Sequence, residues 1–133
     1  MDMSVFEFYD KLEQPAKDFL KMRLHPVEAP ADTLLFNQGD VCDSVLFLTS
    51  GEIKLTKQTE DNQEELLYTL QAGKQCIVNT ASTLSQTPAI ATATSTTDIT
   101  GYILDMYSLQ DLTKRSEPYM NYIFSIYTLD CKN

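Results

Sequence analysis

The sequence is poor in the residues that usually build metal centres and catalytic triads. Its 133 residues include one histidine, three cysteines and no tryptophan. One imidazole, His25, cannot complete a multi-histidine metal site or a triad by itself. Cys42, Cys76 and Cys131 form no C-x-x-C pair, which argues against a disulfide framework, a zinc site and a cysteine-ligated iron–sulfur cluster. We therefore predict no resident metal or cofactor and no enzyme activity.

Positive charge is also scarce. The chain carries 10 Lys and Arg against 19 Asp and Glu, for a net charge of −9. Proteins that bind nucleic acid present a basic face, whereas the basic residues here are scattered singly or in pairs. This chain alone is not expected to bind DNA, and its acidity is of the kind that keeps many cytosolic proteins soluble.

Long apolar runs are missing as well. No stretch approaches the roughly 20 apolar residues of a membrane-spanning helix. The N-terminus, MDMSVFEFYDKLEQ, is acidic and lacks the pattern of a secretory signal. The length suits one domain with one core, and we expect a cytoplasmic location.

The local patterns predict a β-rich domain between helical ends. Residues 4 to 23 are predicted to be helical, with Pro15 opening a short helix. Short β-rich segments follow from 24 to about 104 and are cut by turn residues, as in an antiparallel sandwich or barrel. The clearest segments are 34 to 36, 45 to 48, 53 to 55 and 66 to 70.

The segment from 75 to 97, QCIVNTASTLSQTPAIATATSTT, holds no glycine, no charge and no aromatic ring. Its last nine residues alternate small and β-branched side chains, which favours a strand over a threonine-rich linker. One face would carry Ala89, Ala91 and Ala93, and the other Ile90, Thr92 and Thr94. A face of alanines leaves room for a neighbouring helix or for a ligand.

The C-terminal segment is predicted to be helical. Ser108 is predicted to start a short helix, and residues 116 to 118, Ser-Glu-Pro, read as the entry to a second. The second helix is apolar on nearly every side, so it needs cover on more than one side. Self-association is the simplest source of that cover. The predicted dimer residues are Tyr119, Tyr122, Ile123, Ile126 and Tyr127.

Several motifs resemble the effector domain of the Crp/Fnr bacterial transcription regulators. They are L-x-x-Q-G-D over residues 35 to 40, V-L-F-L-x-x-G-x-I-K-L over 45 to 55, L-x-x-G over 70 to 73, and the strand from 98 to 104. The resemblance implies a mainly β fold, a double-stranded β-helix or jelly-roll-like β-roll with an N-terminal helix and a C-terminal dimerisation helix. It covers about residues 24 to 127.

The resemblance also implies a domain plan for residues 1 to 133. Residues 24 to 104 would form the β-roll and 116 to 131 the start of the dimer helix. In the family a helix-turn-helix domain follows and binds DNA. That domain is not in this sequence, so the chain is expected to be a fragment of a regulator or, as the alternative, a stand-alone regulatory or interaction domain.

The family's phosphate-binding cassette would fall on residues 76 to 90, but its key residues do not match. The family's Gly-Glu pair falls near Ile77 and Val78, and its arginine near Pro88 and Ala89. No Lys or Arg occurs between Gln75 and Thr113. Burying a cyclic phosphate without a paired cation costs several kcal/mol. We therefore predict that the domain does not bind cAMP or cGMP in the family's usual way.

The pocket is expected instead to be apolar with a few polar groups, suited to an uncharged or aromatic small molecule. Its predicted lining is Ile77, Val78, Asn79, Thr80, Leu84, Pro88, Ala89, Ile90, Thr92 and Tyr102. Haem is an alternative, with His25 or Cys76 as axial ligand, although cations for its propionates are missing here. Two further alternatives are a roll filled by its own side chains and a cupin-type metal enzyme, against which the single histidine counts.

Overall fold

The computed structural model describes residues 3 to 130, and the side chains of residues 3 to 126. A 3-10 turn at Tyr9–Lys11 precedes the first helix. The elements then follow in the order α1 (Gln14–Arg23), β1 (His25–Ala29), β2 (Leu34–Phe36), β3 (Ser44–Ser50), β4 (Glu52–Gln58), β5 (Glu64–Gln71), α2 (Ile77–Ser85), β6 (Thr92–Ser95), β7 (Ile99–Asp105), α3 (Met106–Arg115) and α4 (Glu117–Asp130).

The strands form two antiparallel sheets. One has the order β1-β7-β3 and the other the order β2-β6-β4-β5. The consecutive strands β1 and β2 therefore lie in different sheets, as do β3 and β4. The chain passes from one sheet to the other, and the two sheets enclose a shared interior. The tight turn between β3 and β4 requires glycine, because Gly51 has a φ of +92° and a Cβ there would lie 2.3 Å from the carbonyl oxygen of Asp98. This arrangement confirms the predicted mainly β class and the β-roll.

Strand β3 separates two apolar cores. Its side chains alternate between the two faces of the sheet, as the strand period requires. Val45 and Phe47 point into a core formed with the helices, whereas Leu48 points into the interior of the roll. All three are fully buried. The sheet is thus covered by helices on one face and by the second sheet on the other.

Aromatic rings hold the helical core together. The ring of Phe8, in the N-terminal segment, stacks on Tyr122 of α4 with centroids 4.3 Å apart and meets Tyr119 edge-on at 5.5 Å. Phe6 meets Phe47 of β3 edge-on at 5.7 Å. Burial of these large rings stabilises this side of the sheet. Through these contacts the N-terminal segment packs against both α4 and β3.

The predicted helix over residues 4 to 23 is wrong in its first half. The α-helix begins only at Gln14, where Pro15 occupies the first turn as expected. Before it the chain forms turns, because Phe6 and Phe8 both enter the core. Two buried residues spaced by two do not share a face of a helix.

The predicted strand over residues 89 to 97 is also shorter than expected, since β6 covers only Thr92–Ser95. Ala89 instead exchanges backbone hydrogen bonds with the turn after β2, accepting from Gly39 at 2.8 Å and donating to Asp40 at 2.7 Å. The alternation itself is confirmed, since Ala89, Ala91 and Ala93 are buried.

The start of α3 differs from the prediction by two residues. Asp105 caps it, accepting from the backbone N–H of Ser108 at 3.2 Å and from its hydroxyl at 2.6 Å, so the helix begins at Met106 rather than at Ser108. The entry of α4 is as predicted, with the Ser116 hydroxyl accepting from the N–H of Tyr119 at 3.2 Å. Within residues 3 to 130, no helix is long and apolar enough to span a bilayer.

Candidate functional site

The interior of the roll contains a half-enclosed cavity of about 400 Å³. This volume lies within the range of small-molecule sites. Both sheets supply its walls, which are mostly apolar and include Leu35, Phe36, Leu46, Ile53, Ala93 and Ile99. Of the alanine face predicted from the sequence, Ala93 on β6 lines the cavity, whereas Ala89 and Ala91 are not among its lining residues.

The charged groups of the cavity are all acidic among the residues that the structure describes. Glu28, Asp40 and Asp43 line it, and no Lys, Arg or His does so in that part of the chain. All three residues are exposed, so they belong to the side of the cavity that faces solvent. We call this acidic rim the mouth. The field at the mouth therefore favours cations and repels anions.

Helix α2 closes one side of the cavity and is attached to β3 by a side-chain amide. The Oδ1 atom of Asn79 accepts from the backbone N–H of Leu46 at 2.9 Å, and its Nδ2 donates to the carbonyl of Ser44 at 2.8 Å. The hydroxyl of Thr83, one turn later, donates to the same carbonyl at 3.0 Å. These bonds satisfy strand groups that no neighbouring strand pairs. Asn79 is therefore a structural anchor as well as a wall of the cavity.

Two buried thiols, those of Cys42 and Cys76, also line the cavity. Burial raises the pKa of the Cys76 thiol, and the hydroxyl of Tyr68, 3.4 Å from its sulfur, offsets part of that effect. A thiol with a raised pKa stays protonated at neutral pH and is a poor nucleophile and a poor metal ligand. The Cys76 thiol thus contributes apolar wall rather than reactivity.

Gln75, which precedes Cys76, connects the cavity wall to α4. It is 4% exposed, and its Oε1 accepts from the hydroxyl of Tyr119 at 2.8 Å. Its Nε2 donates to the hydroxyl of Thr80 at 2.8 Å, and that hydroxyl donates to the carbonyl of Cys76 at 2.7 Å. Burial raises the pKa of Tyr122 to about 12, which a hydrogen bond with the backbone of Gln75 partly offsets. Two side chains of α4 therefore hold the residue that leads into the cavity wall.

The structure brings only some of the predicted pocket residues to the cavity. Asn79 lines it, while Val78 and Ala89 are buried in the apolar core of the roll and Ile77 packs beside that core. Thr80 is buried in the hydrogen-bonded chain with Gln75.

The remaining members of that set lie elsewhere. Leu84 and Tyr102 pack against the helical core, and Tyr102 also borders a separate, more open depression of about 420 Å³. Pro88 is exposed and pairs with Val41 in an isolated β-bridge. Ile90 is 62% exposed, and the Thr92 hydroxyl accepts from the N–H of Gln38 at 2.9 Å.

The two candidate haem ligands do not lie in one site. His25 is exposed at the start of β1, opposite Ile103 of β7, and it does not line the cavity. Cys76 does line it, but with the raised pKa described above. In the described residues no three His, Cys, Asp or Glu side chains lie together as metal ligands would.

The predicted dimer residues are largely engaged within the domain. Tyr119 and Ile123 are 0% and 3% exposed, and Tyr122 and Ile126 pack partly buried against the same helical core. The side chain of Tyr127 lies outside the described residues. Among the side chains of α4 that the structure describes, the large apolar one that is exposed is Phe124, at 61%.

The mouth and most of the wall were not predicted from the sequence. Glu28 lies in β1, Asp40 and Asp43 lie in the loop between β2 and β3, and Leu35 and Phe36 lie in β2. The signal available for them was the L-x-x-Q-G-D motif, which places Leu35 and Asp40 on either side of one turn.

Comparison with known proteins identifies the family. Residues 26 to 116 match the family model of the cyclic nucleotide-binding domain. No curated protein matches the sequence.

Three solved structures with the same fold are each 20% identical to this chain or less. The catabolite activator protein of Thermus thermophilus has a TM-score of 0.76 and 20% identity, over 92% of this chain and 56% of that chain. The sensor domain of the transcriptional regulator DNR from Pseudomonas aeruginosa has a TM-score of 0.75 and 15% identity, over 92% and 81%. The regulatory domain of Toxoplasma gondii PKA, in a co-crystal with cAMP, has a TM-score of 0.74 and 17% identity, over 83% and 42%.

These identities support a common fold. The chain spans about half the length of the activator protein and less than half that of the PKA regulatory domain. The family match covers most of the sequence and coincides with the β-roll together with α2 and α3. The chain belongs to the cyclic nucleotide-binding domain family.

Proposed function

We propose that the chain is the effector-sensing and dimerisation domain of a Crp/Fnr-type bacterial transcription regulator that does not respond to cAMP. The observation that carries this proposal is the charge of the cavity, where Glu28, Asp40 and Asp43 are the charged lining residues in the described part of the chain. The domain acts in the cytoplasm as a binding module, without catalytic activity and without haem. DNA is bound by a domain outside residues 1 to 133.

The physical reason is the cost of burying an anion. A cyclic phosphate carries one negative charge that must leave water to enter the roll. In this fold a paired guanidinium with two parallel hydrogen bonds would offset that cost. At the position where the resemblance places the arginine, Pro88 and Ala89 carry no charge. The carboxylates at the mouth also repel the phosphate. A cyclic nucleotide therefore loses affinity both at the mouth and inside the roll.

The route from effector to output runs through Gln75. A ligand in the cavity contacts Cys76 and Asn79, and any displacement of Cys76 moves the adjacent Gln75. Gln75 is hydrogen-bonded to Tyr119 of α4, so the helix responds to the position of the cavity wall. Two arrangements of this contact would give the two states that a ligand can bias.

The dimer forms through α4, with Phe124 as its exposed apolar contact. The side chains of Tyr119 and Ile123 fix α4 on its own domain, which leaves the opposite face for the partner. Because α4 is held rigidly, a displacement of this helix would also move the segment that follows it in the chain. Two similar structures are named as parts of transcriptional regulators, which supports this role.

The test compares a nucleotide with its uncharged nucleoside. The melting temperature of the purified domain is measured with millimolar cAMP, cGMP or adenosine. A ligand that binds the folded state raises the melting temperature. We expect neither cyclic nucleotide to raise it, because the cavity does not bind them. A rise with cAMP or cGMP that saturates in the micromolar range would refute the proposal. Adenosine serves as the matched control, since it lacks only the phosphate.

A further inference from the structure

We propose that the cavity binds a small apolar molecule that carries one positive charge at its end. The inference rests on the proposed function, since it names the ligand class of the same site. The cavity has room for such a molecule, at about 400 Å³, and its walls and mouth differ in character. The walls select an apolar body, and the mouth selects the charge.

The walls carry few groups that could recognise a polar ligand. Leu35, Ile53 and Ile99 expose only hydrocarbon, and the amide of Asn79 already makes both of its strong bonds to β3. Among the described residues, no buried side-chain nitrogen or oxygen lacks a hydrogen-bond partner. A polar body would lose its bonds to water and find no replacement, so the interior favours hydrocarbon or an aromatic ring.

The mouth carries the opposite preference. Glu28 lies on β1, and Asp40 and Asp43 lie between β2 and β3, so carboxylates approach the opening from two segments of the chain. Asp40 accepts a hydrogen bond from the N–H of Asn37 at 3.0 Å, which fixes the turn that bears it. Within the described residues that line the cavity, no basic side chain neutralises these groups. An ammonium group at the opening would meet acceptors while remaining partly hydrated.

The test uses three six-carbon probes with different head groups. Hexylammonium, hexanol and hexanoate carry a positive, a neutral and a negative head group on an unbranched alkyl chain of similar length. Binding to the whole chain is followed by the methyl NMR signals of Leu35, Ile53 and Ile99. We expect hexylammonium to bind about fivefold more tightly than hexanol, because each exposed ion pair contributes up to ~1 kcal/mol. Hexanoate is expected to bind more weakly than hexanol, and added salt to reduce the differences.

A double variant removes two of the three charges of the mouth and leaves the walls intact, and Asp40 is kept because its carboxylate accepts from the N–H of Asn37 and holds that turn. Glu28→Gln with Asp43→Asn should bring the affinities of hexylammonium and hexanol closer together. The matched control is Glu60→Gln with Asp61→Asn, which makes the same change in net charge at exposed residues that do not line the cavity. This control should keep the preference for hexylammonium.

The outcomes separate this inference from the function on which it rests. Hexanoate binding as tightly as hexylammonium, or no shift of the cavity methyl signals with any hexyl probe, would overturn the ligand class. Equal preference in the mouth variant and the control would overturn the role of the carboxylates. Cyclic AMP added to the same sample tests the proposed function, and only saturable cAMP binding would refute that.

Discussion

The hydroxyl of Tyr119 donates a hydrogen bond of 2.8 Å to the side-chain carbonyl of Gln75. Both residues are buried, at 0% and 4% exposure, so the bond lies out of contact with water. It joins the C-terminal helix α4 to the residue that precedes Cys76 in the cavity wall. This contact gives the domain a direct connection between its binding cavity and the helix assigned to dimerisation.

Replacing Tyr119→Phe should destabilise the domain by about 1–2 kcal/mol, because the buried carbonyl of Gln75 loses a donor. Urea unfolding measures the change in the free energy of unfolding. Tyr107→Phe is the matched control, since Tyr107 is 73% exposed and its loss should change little. The losses caused by Tyr119→Phe and Gln75→Met should be less than additive in the double variant, because both remove this bond, while Gln75→Met also removes the bond to Thr80 in either background. Additive effects of the two substitutions would contradict a direct bond.

Replacing Asn79→Asp should destabilise the domain by about 2–3 kcal/mol, because the donor to the Ser44 carbonyl becomes a carboxylate oxygen. Lowering the pH should reduce the loss, since a protonated carboxyl can donate again. Asn121→Asp makes the same chemical change at an exposed position of α4 and should stay within about 0.5 kcal/mol. Equal losses for the two variants, measured by urea unfolding, would show that Asn79 does not anchor α2.

The raised pKa of Tyr122 predicts a loss of stability at alkaline pH. Burial raises that pKa from 10.0 to about 12, so the folded state favours the neutral phenol. The associated stability is complete below about pH 10 and is lost as the pH rises through about 12, by up to roughly 3 kcal/mol. The difference in unfolding free energy between the original chain and Tyr122→Phe isolates this residue. If the difference in unfolding free energy stays the same from about pH 8 to about pH 12, the burial of the phenol is contradicted.

The proposed dimer is best tested at Phe124, since substitutions of the buried Tyr119 or Ile123 would damage the fold itself. Phe124→Glu should raise the dimer dissociation constant at least about tenfold, because a charge replaces an apolar contact. Sedimentation velocity measures the dimer, and circular dichroism confirms that the fold is retained. Met22→Glu is the control, at a side chain of α1 that is 81% exposed. A folded Phe124→Glu variant that dimerises normally would exclude this face.

The strands could be predicted from the sequence because their signals are local. A short apolar segment before a turn indicated β2, alternating side chains indicated β4, and Gly51 marked the turn between β3 and β4. The helical start of the chain was mispredicted, because Phe6 and Phe8 are fixed by packing against Phe47 and Tyr119, which are distant in sequence. Local periodicity cannot contain that information.

The site was predicted less well, for a related reason. The cavity wall draws on β2, β3, β4, β6 and β7, so no single segment carries its pattern. The absence of cations between Gln75 and Thr113 was readable directly from the sequence. The position of Glu28 and Asp43 at one opening could not be read from the sequence, because only the folding of β1 towards the loop before β3 brings them together.

The most direct test of the account is a calorimetric titration of the purified chain with cAMP at millimolar concentration. The Toxoplasma gondii PKA regulatory domain, which was co-crystallised with cAMP, serves as the positive control. We predict no saturable heat for this chain, because no cation in the cavity neutralises the phosphate within the described residues. A saturable isotherm in the micromolar range would contradict the account.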